Sequence, residues 1–412
     1  MRFPLALTAK IATHIIRKKL SGVRKFATVL QLEPLHTCNL TCTGCGRIRE
    51  YSTSIKDVMP LEDCLAAATE CNAPMVSICG GEPLIYPQIE ALVSGLKAQK
   101  RIVYICTNGT RMRAKMRDHL AAERARRPGW VEMRLAQLLE EKLITQEQAD
   151  SLRHSSPVAR PVQPISPSPL LFWNVHLDGL QATHDLIVEK PGVFAECIAA
   201  IRMAKILGYQ VATNTTVYRE TDPAEIEELF HFLATLGVDG HTISPGYDYD
   251  AAKRDMAARL GRDPAEFFLT REATREKFAR AIEWGKMFPI FGTPGYLEFL
   301  AGRRELPCSA WAIPTRNVRG WKGPCYLMTD GHYPTYAALL ERTDWSKLGH
   351  GSDSRCENCM VHCGYEPSAA LGLSPEPGDL WKTLKFTFGP KPKPGRSLPP
   401  PRKHPEPAAV AG

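Results

Sequence analysis

Short runs of Val, Ile, Phe and Tyr recur along the chain and alternate with longer stretches whose apolar residues repeat at helical spacing. The runs predict six β-strands, at residues 28–34, 74–79, 101–106, 171–177, 209–217 and 238–244. Intervening stretches such as "LEDCLAAATECN" and "AECIAAIRMAKILG" predict helices. Strand and helix in alternation are typical of parallel βα units. Six such strands favour an α/β fold built on a partial, open (β/α)6 barrel over residues 28–300.

The residues that follow the predicted strands are polar or reactive. In chain order they are three cysteines, "GGEP", "CTNG", "HLDG", "NTT" and "SPG". The carboxyl ends of parallel strands meet at one end of a βα barrel, and active sites form there. We therefore expect these residues to lie together in one active site.

The N-terminal segment, residues 1–27, precedes this alternation. Leu7, Ile11 and Ile15 form an apolar stripe that basic residues follow, which predicts an amphipathic helix at 3–20. Two interpretations stay open. The helix either docks on its own domain or lies on an anionic membrane surface, where an apolar stripe with basic flanks is favoured.

Two further segments interrupt or follow the barrel pattern. Residues 111–168 combine a basic stretch, a helical pattern and a proline-rich connector, and predict an insertion between the third and fourth strands. It is expected to be a mobile surface excursion, with a lid or a membrane-contact element as the alternative. Residues 390–412 include eight prolines and predict a disordered tail.

Composition and charge narrow the class of protein without choosing a function. The chain has 412 residues, 44% of them apolar, as expected for a globular protein with a full core. Its net charge of +8 suggests an anionic partner such as a phosphate-rich cofactor or lipid headgroups. No run of 18 apolar residues predicts a membrane span, and "FPLAL" is too short for a convincing signal peptide. No RNA-binding module is visible, so we expect no nucleic-acid partner.

The cysteines carry the strongest chemical signal. There are thirteen, an odd number in a chain without an export signal, which indicates metal ligation in a reducing cytoplasm. Cys38, Cys42 and Cys45 in "HTCNLTCTGCGR" have C-x3-C-x2-C spacing. Three thiolates can hold three irons of a [4Fe–4S] cluster and leave the fourth iron open. A zinc site on these thiols would lack a fourth ligand nearby.

This spacing, followed by "GGEP" after the next strand, resembles the radical S-adenosylmethionine (radical SAM) superfamily. The resemblance implies that the open iron binds S-adenosylmethionine and that an electron from the cluster releases a 5′-deoxyadenosyl radical. It also implies the residues that line the cofactor: Gly80, Gly81 and Glu82 at its amino end, Asp178 and Asn214 at the ribose, and Ser244 near the adenine. From the residues alone, Asp178 and Asn214 can also be interpreted as ordinary residues at turns or strand ends, without a role in binding.

A second group of cysteines lies beyond the barrel, in a predicted cysteine-rich module at residues 301–389. Its members are Cys308, Cys325, Cys356, Cys359 and Cys363. Such modules resemble the SPASM-type extensions of the superfamily, which hold an auxiliary iron–sulfur cluster. Zinc, bound by four of the five thiols, stays open as the alternative.

Longer stretches resemble the radical enzymes of hopanoid biosynthesis that form adenosylhopane. They include "LSGVRKFATVLQLEPLHTCNLTCTGCG", "VYICTN", "VHLDGL", "GVDGHTISPGY" and "CENCMVHCGYE". The resemblance implies that the adenosyl radical adds to the exocyclic double bond of a hopene (diploptene), a triterpenoid lipid. It makes Cys106 the donor of the hydrogen atom that quenches the resulting tertiary radical.

Sequence context alone is less specific about the remaining thiols. A cysteine on a strand, such as Cys106, is often an inert core thiol. Cys64, Cys71 and Cys197 lie on helical stretches and are expected to be structural, and Cys79 stays undecided.

A hydrocarbon substrate implies where the protein works and what it needs. Hopene offers no hydrogen-bonding group, so binding depends on burial at roughly 25 cal/mol per Å² of apolar area, and membrane lipid offers nearly the same gain. We therefore expect a cytoplasmic protein in peripheral contact with the inner face of the cytoplasmic membrane, supplied by an electron donor such as flavodoxin or ferredoxin. The alternatives are a radical SAM enzyme that modifies a peptide or another small molecule, and a non-catalytic metal-binding scaffold.

Overall fold

The computed structural model describes residues 3–51, 54, 56–154 and 162–389 and places one mixed sheet at its centre. The strands are β1 Val29–Glu33, β2 Met75–Ile78, β3 Ile102–Thr107, β4 Leu171–His176, β5 Gln210–Val217, β6 Gly240–Pro245, β7 Thr315–Asn317, β8 Gly320–Pro324 and β9 Thr329–Tyr333. Their order across the sheet is β6-β5-β4-β3-β2-β1-β7-β8-β9. Each strand from β2 to β6 pairs parallel with the strand that precedes it in the chain. The prediction of an α/β fold with six parallel strands is confirmed.

Helices connect these strands and cover the sheet. They are α1 Leu5–Leu20, α2 Leu61–Cys71, α3 Ile89–Ala98, α4 Met112–Glu123, α5 Pro128–Glu140, α6 Gln146–His154, α7 Gln181–Ile187, α8 Val193–Ile206, α9 Pro223–Thr235, α10 Asp250–Asp255, α11 Arg271–Lys277, α12 Ala281–Met287, α13 Pro294–Leu300, α14 Tyr336–Arg342, α15 His362–Leu371 and α16 Asp379–Phe388. Apolar residues one turn apart, such as Leu92 and Leu96 of α3, are fully buried. Burial of such stripes on both the sheet and its helices holds the fold together.

Helix α1 docks on the barrel by its apolar stripe. Phe3 stacks on Phe172 at 5.5 Å between ring centroids and meets Phe291 edge-on at 5.1 Å. Leu7 belongs to the same buried cluster. Because Phe172 lies near the amino end of β4, the start of the chain closes the amino end of the barrel.

The segment between β3 and β4 is a packed helical unit. Helix α4 lies against α8, as the third helix of a βα barrel does, and buries Met112, Met116 and Leu120. Helices α5 and α6 pack on it in turn. The expected mobile surface excursion is therefore wrong for residues 112–154, because their apolar faces are buried. Residues 155–161 of the connector and the predicted tail at 390–412 lie outside the described residues.

Strands of the predicted cysteine-rich module extend the barrel sheet. β7 pairs parallel with β1, and β8 and β9 follow antiparallel. Residue 300, the predicted domain boundary, ends α13, which packs against α15 from the other side of that boundary. The cysteine-rich part thus shares both sheet and core with the barrel. Within the described residues, no helix has both the length and the apolar character needed to cross a bilayer.

Replacing Phe3 with Ala should weaken the docking of α1 by about 3 kcal/mol, because a buried aromatic side chain leaves a cavity. Hydrogen exchange of the α1 amides should then become faster than in the wild type. Ile16 is 56% exposed on the same helix, and Ile16→Ala is the matched control, expected to change little. Equal exchange in both variants would contradict the docking of α1 through Phe3.

Candidate active site

One cavity of about 450 Å³ lies at the carboxyl ends of the parallel strands. Every cofactor-lining, cluster-binding and catalytic candidate proposed for the barrel lines it: Cys38, Cys42, Cys45, Gly80, Gly81, Glu82, Cys106, Asp178, Asn214 and Ser244. These residues come from the ends of β1 to β6. The parallel sheet brings together positions that are more than 200 residues apart in the chain.

The three barrel cysteines lie on the loop that follows β1. Among the described residues, no set of three metal-binding side-chain atoms within 4.8 Å of one another includes a cysteine. Thiolates around one tetrahedral zinc ion lie about 3.8 Å apart, given a Zn–S distance of about 2.3 Å. In this structure the three sulfur atoms are therefore not gathered as the ligands of one zinc ion.

Gly80 and Gly81 hold the loop after β2 against the start of the cysteine loop. The Gly81 amide donates to the Leu35 carbonyl at 3.1 Å, and the Glu82 amide donates to the Thr37 carbonyl at 3.0 Å. A Cβ on Gly81 would lie 2.0 Å from the Thr37 oxygen, and one on Gly80, whose φ is +107°, would lie 2.2 Å from the Leu35 oxygen. The glycines are therefore required by contact between two backbones, in addition to any approach to a ligand.

Glu82 joins the loops after β2 and β3. Its buried carboxylate accepts hydrogen bonds from the Thr107 hydroxyl at 2.8 Å, the Asn108 amide at 2.8 Å and the Leu84 amide at 3.0 Å. Burial raises the pKa of Glu82 although these bonds oppose the shift. Both carboxylate oxygens have protein partners, so the side chain positions the loops, and Asn108 in turn places its amide 3.7 Å from the Cys38 sulfur.

The "HLDG" motif presents a histidine to the cavity. The Asp178 carboxylate contacts His176 Nε2 at 2.6 Å and accepts the Thr216 amide at 2.8 Å. The Asn214 side-chain amide lies 3.4 Å from His176 Nδ1. Burial disfavours protonation of His176, but the charge of Asp178 and its hydrogen bond together outweigh burial and raise the pKa of the histidine. Sequence reasoning chose Asp178 and missed His176, although the alternation along β4 already pointed this side chain to the same side as Asn174.

Cys106 faces the cavity from β3. Its sulfur lies 3.1 Å from the Ser77 hydroxyl and accepts a hydrogen bond from the Asn174 amide at 3.4 Å. Burial raises the pKa of Cys106 by more than these bonds lower it, so the thiol keeps its proton at neutral pH. Cys79, which sequence left undecided, lines the same cavity.

The other predicted residues are placed as follows. The Ser244 hydroxyl lies 3.3 Å from His362 Nδ1 on the cavity wall. Cys64, Cys71 and Cys197 are buried in the hydrophobic core, as expected for structural thiols.

Arg47, directly after the cysteine loop, is a buried residue that sequence reasoning missed. It pairs with Glu50 at 2.8 Å and with Glu33 of β1 at 3.5 Å, and it lies over the Tyr326 ring at 4.5 Å. Burial would raise the pKa of Glu33, but Arg47, His36 and Lys322 together outweigh it and lower this pKa to about 2. The carboxylate thus stays ionised well into acid and ties the cysteine loop to the sheet. The sequence signal was the basic residue immediately after "GCG".

The five cysteines of the second group surround a separate, small cavity of about 20 Å³: Cys308, Cys325, Cys356, Cys359 and Cys363. They come from three separate stretches of the chain. Within the described part of the chain, no three of their sulfur atoms all lie within 4.8 Å of one another. Tyr247 and Leu327 line both this cavity and the larger one, so the two cysteine groups are neighbours.

The larger cavity also has an apolar region. Phe3, Ile11 and Ile15 contribute to its wall from α1, and Phe291 lies beside them. The cavity therefore joins a polar, thiol-rich region at the loops to an apolar region closed by the N-terminal helix.

Two family models match the chain. Residues 32–233 match the radical SAM superfamily, and residues 241–383 match a domain of unknown function, DUF3463. A curated protein, pre-heme d1 synthase of Dinoroseobacter shibae, is 22% identical over 356 residues, which cover 82% of this chain and 74% of that protein.

Solved structures with a similar fold have low sequence identity. SuiB of Streptococcus suis bound to precursor peptide SuiA is 14% identical, with a TM-score of 0.47 over 89% of this chain and 77% of that chain. The protein anSMEcpe with bound AdoMet and Cp18Cys peptide is 14% identical, with a TM-score of 0.44 over 88% of this chain and 97% of that chain.

Gly81→Ala should displace the cysteine loop, because the added methyl group would meet a backbone carbonyl, which cannot swing aside as a side chain can. Hydrogen exchange at residues 36–47, measured without cofactors, should increase by about tenfold or more. Gly129 of α5 has nothing within 4 Å of an added Cβ, so Gly129→Ala is the matched control. Unchanged exchange in Gly81→Ala would contradict the proposed contact between the two loops.

Proposed function

Because residues 32–233 make this chain a member of the radical SAM superfamily, we propose that it is a transferase that adds the 5′-deoxyadenosyl group to the exocyclic double bond of a hopene (diploptene). The product would be adenosylhopane, an intermediate of hopanoid lipid biosynthesis. The observation that carries this proposal is the composition of the cavity. A cluster-binding loop, a protonated thiol and an apolar wall share one space of about 450 Å³, within the range of about 300 to 1,000 Å³ typical of ligand pockets.

The superfamily implies a [4Fe–4S] cluster and S-adenosylmethionine as cofactors, and the residues present fit both. Cys38, Cys42 and Cys45 would hold the cluster, because three thiolates on one loop can bind three irons and leave the fourth open. Gly80 and Gly81 expose backbone to the cavity, and His176, Asn214 and Ser244 would contact the nucleoside. When bound, this pair supplies the 5′-deoxyadenosyl radical.

Cys106 would complete the reaction. Addition to the double bond breaks its π bond, forms the new C–C bond and leaves a tertiary carbon radical on the substrate. Cys106 donates a hydrogen atom to it, so that the S–H bond breaks and the C–H bond forms. The sulfur radical then takes one electron from a donor of the flavodoxin or ferredoxin type and a proton from solvent. The raised pKa of Cys106 supports this role, because a thiolate has no hydrogen atom to give.

The residues in the apolar region would bind the hydrocarbon rings. Phe3, Ile11 and Ile15 offer no hydrogen bonds, and neither does the substrate. Because a bilayer solvates hopene almost equally well, we propose that the protein collects it at the inner face of the cytoplasmic membrane.

A second candidate is a radical SAM enzyme that acts on a more polar small molecule. The similarity to pre-heme d1 synthase over most of the chain favours it. So do two buried oxygens on residues that line the cavity, Asn174 Oδ1 and Glu366 Oε2, which lack hydrogen-bond partners among the described residues. Burial raises the pKa of Glu366 to about 7, so this group would be partly protonated at neutral pH.

The second cysteine group is proposed to hold an auxiliary iron–sulfur cluster, with zinc as the alternative. Five thiols are available, one more than a cluster needs.

Anaerobic incubation with diploptene, S-adenosylmethionine and a reductant should give the saturated adenosyl adduct by mass, with one deuterium when the reaction runs in D2O. Cys106→Ala should still cleave S-adenosylmethionine and form the C–C bond, but the saturated product should fall by about tenfold or more. Cys79→Ala is the matched control, because it removes another thiol of the same cavity. If Cys106→Ala forms the saturated product at the wild-type rate, a group other than Cys106 donates the hydrogen atom. No adduct from the wild type would favour the second candidate.

Iron and sulfide analysis should separate the two cysteine groups. The triple variant Cys38→Ala, Cys42→Ala, Cys45→Ala should lose S-adenosylmethionine cleavage yet keep about four irons per chain, held by the second group. The double variant Cys356→Ala, Cys359→Ala should keep only the iron of the barrel loop. Stoichiometric zinc in the triple variant, with no iron, would contradict the auxiliary cluster.

A further inference from the structure

Helix α16 exposes a row of large apolar side chains. Leu380 is 75% exposed, Trp381 70%, Phe388 67% and Leu384 39%. Leu380, Leu384 and Phe388 are four residues apart and so lie along one side of the helix, with Trp381 beside them. We call these four residues the α16 face. Single exposed leucines are ordinary on protein surfaces, but a contiguous apolar patch marks an interaction site.

The opposite side of α16 is fixed to the domain. Asp379 pairs with Arg304 at 3.1 Å, and Lys382 pairs with Glu298 at 2.8 Å. Phe386 approaches Gly285 of α12, and the helix packs on α13. The helix is thus held in one orientation, and the α16 face points away from the core.

Basic charge accompanies this face. Lys385 lies on the helix, whereas Lys382, on the opposite side, is paired with Glu298 in a cluster of acids that also contains Glu376 and Asp379. The sequence after the helix, residues 390–412, contains five Lys and Arg against one Glu. An apolar face with aromatic residues and a basic continuation is the pattern of a helix that lies on an anionic bilayer.

A hydrogen bond ties the segment before α16 to helices that line the apolar part of the large cavity. Lys19 at the end of α1 donates a hydrogen bond to the Leu371 carbonyl at the end of α15, and exposed Leu373 lies on the way to α16. Both α1 and α15 line the cavity, through Ile11 and Ile15 on one side and Pro367 and Ala370 on the other. The segment before α16 is therefore attached to two helices that border the region that would receive a hydrocarbon.

We infer that the α16 face is the surface by which this protein sits on an anionic lipid bilayer. Phe3 and the α1 residues Leu7 and Ile11 are used in closing the barrel and do not belong to this surface. That this contact serves a reaction of hopene rests on the proposed function. The contact with the bilayer does not depend on that function.

Vesicle binding of the full-length, cluster-loaded protein tests the inference without any substrate. Co-sedimentation with phosphatidylcholine vesicles is compared with vesicles that also contain phosphatidylglycerol. A variant in which Leu380, Trp381, Leu384 and Phe388 are all changed to Ser should bind the anionic vesicles at least about tenfold more weakly than the wild type. Trp381→Ala alone should show a smaller loss, and salt should weaken binding of the wild type.

Leu186→Ser is the matched control. Leu186 is 71% exposed on α7, outside the α16 face, so its loss should leave vesicle binding unchanged. S-adenosylmethionine cleavage should be the same in all variants, which excludes unfolding as the cause of any loss.

Three results would overturn the inference. Wild-type vesicle binding by the four-residue variant would do so directly. Loss of self-association in that variant, with vesicle binding retained, would assign the face to a second copy of the chain. Equal binding of the wild-type protein to the neutral and the anionic vesicles would contradict the anionic character of the proposed bilayer. Failure of diploptene turnover in detergent, with vesicle binding intact, would instead count against the proposed function alone.

Discussion

The contact between two backbones, at Gly80 and Gly81 on one side and at Leu35 and Thr37 on the other, is the constraint on which the site depends. It sets the cysteine loop against the loop after β2, with room for no side chain between them. Glu82, the next residue, then binds the loop after β3 and brings Asn108 to the first cysteine. On the other side of the loop, Arg47 is paired with Glu33 of β1 in the buried interior. One short segment is thereby fixed from the sheet and from both neighbouring loops.

The cavity that contains these loops has a polar part and an apolar part. Near the loops, His176, Asp178 and Asn214 form a hydrogen-bonded chain whose members satisfy one another, which lets polar groups be buried without a large penalty. Near α1, Phe3 and its aromatic neighbours exclude water. Cys106 lies on β3, whose residue Tyr104 belongs to the aromatic cluster and whose following residue Thr107 bonds Glu82. The thiol thus lies between the polar and the apolar parts of the cavity.

The predicted strands were located well because their apolar runs are bounded by polar and glycine-rich stretches, a local signal. Residues at their carboxyl ends were found for a related reason: parallel pairing forces those ends to one side whatever the details of packing. The helical segment after β3 was misjudged because its basic, polar surface dominates the sequence, while Met112, Met116 and Leu120 become recognisable as core only when α8 is placed against them. Likewise, nothing local shows that β7 pairs with β1, since that register joins positions nearly 300 residues apart.

The sequence by itself determined the fold class, the cysteine loop and the set of residues at the strand ends, because each depends on short-range spacing. Only the tertiary structure decided which of these side chains face the cavity and which of them hold neighbouring loops and side chains in place. Asp178 and Glu82 are committed to protein partners, whereas His176 and Cys106 are presented to the cavity. It also decided that α1 closes the barrel while α16 keeps its apolar face exposed. Both helices are amphipathic in sequence, and what distinguishes them is whether the fold offers an apolar surface opposite the stripe.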